Sequence, residues 1–100
     1  MSADSMSEVL ATLASHEAEL RHFGVRRLRL FGSLARGIPR PESDLDFLVA
    51  LEHKTFDQYM DLKFFLEDLF GRKVDLVLEG TIKPMLRETV EREAVDVARL

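Results

Sequence analysis

The sequence has no cysteine and no tryptophan, and only three prolines and five glycines among its 100 residues. Without cysteine it can form neither disulfide bonds nor thiolate metal sites, which fits a reducing compartment. No apolar run approaches the roughly 20 residues that a membrane-spanning helix requires. The first residues, MSADSMSEVL, also lack the basic start and apolar stretch of a signal peptide. We therefore expect a cytoplasmic protein without a membrane anchor.

Positive charge is also scarce. Fourteen Lys and Arg face eighteen Asp and Glu, for a net charge of −4. This balance argues against stable nucleic-acid binding, which depends on broad electrostatic attraction. Arginines nevertheless cluster locally, at Arg21, Arg26, Arg27 and Arg29, followed by Arg36 and Arg40. The cluster is either a solvated strand face or a docking patch for an acidic partner or for phosphates.

The remaining composition is that of a folded globular chain. Hydrophobic residues make up 46% and charged residues 32% of the sequence, which excludes the compositions typical of disorder. One hundred residues suffice for one modest core, and no repeat or linker-like run divides them. We expect one domain over residues 1–100.

Hydrophobic spacing and punctuating residues predict the order of helices and strands. The predicted elements are a helix over about residues 5–23, strands Val25–Phe31 and Leu45–Leu51, a helix between Thr55 and Gly71, a strand Val74–Leu78, a helix from Pro84 to about Glu93, and a short edge strand around Val95 and Val97. A crossover helix makes the second and third strands parallel, and a short link makes the first two antiparallel. The fold class is therefore α/β (α+β), with a small mixed sheet of three to four strands flanked by helices.

Three aspartates lie where this sheet would bring them together. Asp44 and Asp46 are two residues apart at a strand start, so both project to one face with Cα atoms about 6.6 Å apart. Asp75, near the start of the third strand, falls at the level of Asp46 if these strands are parallel neighbours. Such a pair is often plain surface charge, but three carboxylates in one corner repel unless a cation joins them. Oxygen ligands alone suit Mg²⁺ or Mn²⁺.

A glycine and a serine end the first strand beside these acids. Gly32 lets the backbone approach a phosphate closely, and Ser33 offers a hydroxyl and amide donors to an anion. Arg36 either lies in solvent or neutralises phosphate oxygens. Ser43, directly before Asp44, is a candidate nucleotide-binding residue, and the alternative is that it only caps a turn. A phosphate cradle opposite three carboxylates indicates nucleotidyl transfer assisted by two metal ions.

These residues resemble a known family. The stretch GSLARGIPRPESDLDFLV, followed by KVDLV and by the ending KPMLRETVEREAVDV, is similar to the minimal nucleotidyltransferases (MNT) of the DNA polymerase β-like superfamily. The resemblance implies the polymerase β-like nucleotidyltransferase fold, with Gly32 and Ser33 holding the triphosphate. It also implies that Asp44 and Asp46 ligate both metal ions. Asp75 would complete one metal site and help to deprotonate the acceptor hydroxyl.

The resemblance also implies a partner. Minimal proteins of this kind are similar to antitoxins paired with HEPN-domain RNase toxins, and members of the group transfer AMP from ATP to a tyrosine of the toxin. The sequence carries no such toxin motif, so the acceptor is expected on another chain. We therefore expect an Mg²⁺-dependent adenylyltransferase that acts as an antitoxin. Two alternatives remain open: an antitoxin that only occludes its toxin, and nucleotidyl transfer to a small molecule.

Overall fold

The structure, a computed structural model, describes residues 6–32, 44–53, 55–81 and 84–100. Its elements are α1 (Met6–Ala14), α2 (Glu17–His22), β1 (Val25–Phe31), β2 (Leu45–Leu51), α3 (Phe56–Phe70), β3 (Val74–Leu78), α4 (Pro84–Glu93) and β4 (Val95–Arg99). None of the helices in these ranges has the length and apolar character that a membrane crossing requires. The predicted strands and the last two predicted helices are confirmed.

The four strands form one mixed sheet in the order β3-β2-β1-β4. The β1 strand is antiparallel to β2 and to β4, whereas β2 and β3 are parallel. The predicted mixed sheet is thus confirmed, with the short last strand at one edge beside β1. This order makes β1 an inner strand, with a neighbour on each side.

One face of the sheet, here called the core face, carries the apolar core. Alternate residues of β2 point to it, and they are in register with leucines of β1 and β3. Buried side chains on the core face include Leu28, Leu30, Phe47, Val49 and Leu76. Helices α1, α2 and α3 cover this face through Val9, Leu13, Leu20, Leu62, Leu66 and Phe70. Burial of these apolar side chains is the main source of stability, at roughly 25 cal/mol per Å².

The α3 helix has clear sequence signals at both ends. The Thr55 hydroxyl accepts a hydrogen bond from the backbone N–H of Gln58 at 3.1 Å, which satisfies one of the free donors of the first turn. Gly71 ends the helix in the left-handed conformation, with φ of 63°, and donates to Glu67 O at 2.8 Å. Both boundaries were predicted from these two residues.

The first helix was predicted wrongly as one continuous segment over residues 5–23. The helix breaks between α1 and α2, at Ser15 and His16. The Ser15 hydroxyl donates to Ala11 O at 3.1 Å, and the Nδ1–H tautomer of the His16 ring donates to Thr12 O at 2.8 Å. These side-chain bonds compete with the backbone ladder and bend the chain. Ser5, predicted to cap this helix, lies outside the described residues.

The α4 helix lies on the other face of the sheet. Because β4 is parallel to β3, the β3-α4-β4 connection is a crossover, and it runs along the sheet in the opposite direction to the β2-α3-β3 crossover. Right-handed crossovers in opposite directions place their helices on opposite faces. A direct contact agrees: Arg29, whose neighbours Leu28 and Leu30 point to the core face, binds Glu91 of α4.

Candidate active site

Two of the three predicted acids are directly paired across neighbouring strands. In the parallel register of β2 and β3, Asp46 is opposite Asp75, and on the other side Asp46 is opposite Phe31 of β1. Paired residues share a face, and neighbouring strands lie about 4.8 Å apart. Asp46 and Asp75 therefore project to the same side, here called the acidic face, which is opposite the core face. The predicted level of Asp75 relative to Asp46 is confirmed.

Asp44 lies one residue before β2, next to the part of the loop that the structure does not describe. Its side chain is exposed, as is that of Asp75, whereas Asp46 is half-buried. Within the described residues, no group of three or more His, Cys, Asp or Glu side chains is close enough to hold one metal ion. The strand register thus brings Asp46 and Asp75 together, whereas Asp44, one residue before β2, does not complete the predicted group of three acids in the described residues.

Gly32 lies against the Asp46 carboxylate. Its φ is +81°, a left-handed conformation that favours glycine. A Cβ built on Gly32 would collide with Asp46 Oδ2 and would lie 3.1 Å from its Cγ. Any side chain at position 32 would therefore have to displace Asp46. Glycine is required here both by the turn and by the neighbouring acid.

Three other predicted site residues lie outside the described residues. These are Ser33, Arg36 and Ser43, in the loop between β1 and β2. Their roles remain predictions from the sequence. The two ends of this loop, Gly32 and Asp44, are both at the edge of the acidic face where Asp46 and Asp75 lie.

Arginines neutralise the other carboxylates of the acidic face. Arg27 donates to Asp96 at 2.6 Å, and this hydrogen bond is the main cause of the lowered pKa of Asp96. Arg29 binds both Glu91 and Glu79. Among the described residues, by contrast, no lysine or arginine pairs with Asp44 or Asp75. Within the described ranges, therefore, no basic side chain neutralises the negative charge of Asp44 and Asp75.

The sequence reasoning missed the environment of Arg29. It placed this residue in a basic cluster that was either solvated or a docking patch, but Arg29 is only 4% exposed. Its guanidinium donates to Glu91 at 2.5 and 3.1 Å, which lowers the pKa of the Glu91 carboxyl. Of the other cluster members, Arg21 and Arg26 are exposed, and Arg36 and Arg40 lie outside the described residues.

The donor chemistry fits a hard divalent cation. Aspartate oxygens, with no sulfur and no imidazole among them, suit Mg²⁺ or Mn²⁺. The absence of a side chain at Gly32 lets the end of β1 lie in close contact with the Asp46 carboxylate, which occupies the space that a Cβ would fill. The oxygen donors of Asp46 and Asp75 are of the kind that such an ion binds, but the described residues bring no third acid close enough to complete a site with them.

The comparisons with known proteins agree with this geometry. The sequence matches the nucleotidyltransferase domain family over residues 13–97. Protein adenylyltransferase MntA of Thermococcus cleftensis is 39% identical over 95 residues, covering 93% of this chain and 96% of that protein. A solved structure described as a minimal nucleotidyltransferase has a TM-score of 0.77 and 41% identity, covering 91% of this chain and 94% of the other.

A third comparison extends the fold likeness to a toxin–antitoxin complex. The structure of a tri-AMPylated Shewanella oneidensis HEPN toxin with an MNT antitoxin contains a chain that matches with a TM-score of 0.66 and 18% identity. The match covers 92% of this chain and 73% of the other. At this identity the likeness shows the fold alone.

Together, the mixed sheet, the in-register acids and the family match define a nucleotidyltransferase. More specifically, the chain belongs to the nucleotidyltransferase domain family and is similar to its minimal members. The resemblance and fold class predicted from the sequence are confirmed.

Proposed function

We propose that this nucleotidyltransferase is an Mg²⁺-dependent protein adenylyltransferase that acts as an antitoxin. It transfers AMP from ATP to a tyrosine of a partner HEPN-domain RNase toxin in the cytoplasm and thereby neutralises the toxin. The observation that carries the proposal is the in-register pair Asp46 and Asp75 beside Gly32. A relative named protein adenylyltransferase, at 39% identity, supports AMP as the transferred group and a protein as the acceptor.

Each site residue has a distinct role in the proposal. Asp44 and Asp46 hold two Mg²⁺ ions, or Mn²⁺ in their place, and Asp75 completes one of the two sites. The bound ions supply charge neutralisation to the triphosphate and the leaving pyrophosphate. Gly32 and Ser33 hold the triphosphate, and contacts from Arg36 and Ser43 complete nucleotide binding. All of these residues belong to one minimal domain, residues 1–100.

The reaction requires one proton transfer and one bond exchange. The acceptor hydroxyl oxygen bonds to the α-phosphorus of ATP while the bond from that phosphorus to the pyrophosphate oxygen breaks. The Asp75 carboxylate, exposed on the acidic face, accepts the hydroxyl proton. The exposure of Asp75 suits this role, because a protein acceptor must reach it from outside.

A transfer assay tests the proposal. The protein is incubated with ATP labelled at the α-phosphate, Mg²⁺ and a cognate HEPN-domain protein, and label on the partner is measured. We expect labelling by the wild type and none by the Asp44→Asn/Asp46→Asn variant, because both carboxylates serve chemistry rather than packing. Asp68→Asn is a matched control, since Asp68 is exposed on α3 behind the core face. Absence of label with the wild type would contradict the proposal.

One observation favours neutralisation by occlusion as a second candidate. Phe56, Met60 and Phe64 follow one another at four-residue spacing along α3, so they form one stripe. Phe56 is 75% and Phe64 58% exposed, which is unusual for phenylalanine and typical of a protein contact. If the Asp44→Asn/Asp46→Asn variant still protects cells from the toxin and Phe56→Ser/Phe64→Ser does not, binding rather than AMP transfer neutralises it.

A further inference from the structure

Arg29 is a buried charge close to the candidate active site. In the sheet register, Arg29 forms one row with Leu48 of β2 and Val77 of β3. Leu48 lies two residues after Asp46, and Val77 lies two residues after Asp75. Arg29 therefore lies on the acidic face, one row behind the pair of acids. A guanidinium at 4% exposure is costly to bury unless its hydrogen bonds are satisfied by carboxylates.

The partners of Arg29 join separate parts of the fold. Glu91 belongs to the second half of α4 and receives two hydrogen bonds, at 2.5 and 3.1 Å. Glu79 directly follows β3 and receives a third from Nη2. A bidentate guanidinium–carboxylate pair fixes orientation as well as distance. Arg29 thus ties α4 and the end of β3 to the inner strand β1.

The end of α4 lies at the same end of the sheet as the acids. Val95, which begins β4 directly after the helix and Ala94, is opposite Leu30, and Leu30 is next to Phe31 in the row of Asp46 and Asp75. At this end of the sheet, each strand contributes one feature, in the strand order β3-β2-β1-β4. These features are Asp75 on β3, Asp46 on β2, the strand end Phe31–Gly32 on β1, and the end of α4 beside β4. For a nucleotide whose phosphates lie at Gly32, the acceptor hydroxyl would approach from β3, where Asp75 lies. The α4 helix would then flank the nucleotide on the opposite side.

We propose that Arg29 is a positioning residue for nucleotide binding. It holds the second half of α4 on the acidic face, where this part of the helix forms the wall of the nucleotide site on the side away from the acceptor. The inference rests on the proposed function, since it takes Gly32 as the phosphate site. Arg29 acts through α4 and does not touch the nucleotide. Its link to Glu91 is the part of the contact that orients the helix.

The chain contains a matched control for this link. Arg27 lies on the same strand and the same face, and it forms an ion pair with Asp96 at 2.6 Å. That pair joins β1 to the neighbouring strand β4 and does not involve α4. Loss of the Arg27–Asp96 pair should therefore leave nucleotide affinity unchanged.

The test is calorimetric titration of the whole chain with the non-hydrolysable ATP analogue AMP-PNP and Mg²⁺. Glu91→Ala removes the carboxylate of α4 that Arg29 binds, and it does so at a half-exposed position. Thermal unfolding checks that this variant is folded. We expect Kd to rise about tenfold, by analogy with the loss of affinity when a residue that orients a metal ligand is removed. Arg29→Met should raise Kd by a similar factor. The double variant Arg29→Met/Glu91→Ala should raise Kd no further than either single variant, because each of the three variants breaks the same link. Arg27→Met and Asp96→Ala should bind like the wild type.

The outcomes separate this inference from the proposed function. If Glu91→Ala binds as tightly as Asp96→Ala, or if the losses from Arg29→Met and Glu91→Ala multiply, the inference is wrong. If the wild type binds AMP-PNP but transfers no AMP to the HEPN protein, the proposed function fails, and the Kd ratios still decide the role of Arg29. If the wild type binds no AMP-PNP at all, both are wrong.

Discussion

At the scale of single residues, the candidate site depends on a close contact between a glycine and an acid. Gly32 was predicted from the sequence as a residue that admits phosphate, and its position after the first strand is confirmed. The sequence does not show that Asp46 occupies the space next to it, because that contact depends on how two strands pair. The structure thus adds a second reason for glycine at position 32.

Substitution of this glycine should therefore affect both stability and activity. Gly32→Ala places a methyl group against the Asp46 carboxylate at a backbone φ of +81°. We expect destabilisation by about 1–2 kcal/mol from the left-handed backbone alone, and loss of most AMP transfer because Asp46 must move. Urea unfolding measures the first effect, and the labelled-ATP assay measures the second.

Gly71→Ala is the control for this prediction. Gly71 also has a positive φ, of +63°, but a Cβ there would meet no atom within 4 Å. It should be destabilised by a similar strain and should keep its full AMP transfer. If Gly71→Ala loses as much activity as Gly32→Ala, the effect is general strain rather than the contact with Asp46.

At the scale of helices and strands, the boundaries that local chemistry sets were predictable. Thr55 and Gly71 mark the two ends of α3, and the strands end where glycine or charged residues interrupt the apolar pattern. The break after α1 was not predictable from hydrophobic spacing, since Leu13 and Leu20 both keep helical periodicity and both are buried. Hydrogen bonds from Ser15 and His16 to backbone carbonyls decide it, and spacing does not report them.

The cap of α3 gives a test of stability without a change in chemistry. Thr55→Ala removes the acceptor for the Gln58 N–H and should lower the free energy of unfolding by about 1 kcal/mol. Thr55→Ser keeps the hydroxyl and should restore most of that loss. Because α3 covers the core face, AMP transfer by the folded protein should not change in either variant. Equal stability of Thr55→Ala and Thr55→Ser in urea unfolding would show that the cap contributes nothing.

The link between α4 and the sheet predicts a pH dependence of stability. The Glu91 carboxyl has a pKa below its ordinary value of 4.5, first because Arg29 donates hydrogen bonds to it and further because of the charges of Arg29, Arg27 and Arg87. Its contribution is thus fully present above the ordinary value and is lost as the pH falls through the folded-state pKa. The difference in unfolding free energy between the wild type and Glu91→Gln should shrink as the pH is lowered from about 7 to 3.

Urea unfolding at several pH values measures this difference. The wild type should be more stable than Glu91→Gln at neutral pH, and the two curves should approach each other in acid. A difference that stays constant, or grows as the pH falls, would show that Arg29 does not favour the ionised form of Glu91.

At the scale of the whole molecule, the path of the chain explains which parts of the site the sequence could predict. The register of Asp46 and Asp75 follows from two local patterns and one right-handed crossover, so it was predictable. The binding of Arg29 to carboxylates 50 and 62 residues away was not. It requires β4 to lie beside β1 and α4 to cross the acidic face. The sequence suggested the last strand without placing it in the sheet.

The arrangement of the two faces separates stability from chemistry. Helices α1 to α3 bury the apolar side chains on the core face, while Asp46, Asp75 and the ion pairs of Arg27 and Arg29 lie on the acidic face. Acidic-face residues such as Asp75 are exposed and can be replaced without opening the core. Variants of the acids should therefore lose function while remaining folded.

Binding of Mn²⁺, followed by electron paramagnetic resonance in the presence of AMP-PNP, most directly tests whether acids from neighbouring strands act together. We predict that the wild type binds Mn²⁺, that Asp46→Asn and Asp75→Asn each lose most of that binding while remaining folded, and that Asp96→Asn, altered on the same face, retains it. Binding by Asp75→Asn as tight as that of the wild type, or an equal loss in Asp96→Asn, would contradict the account.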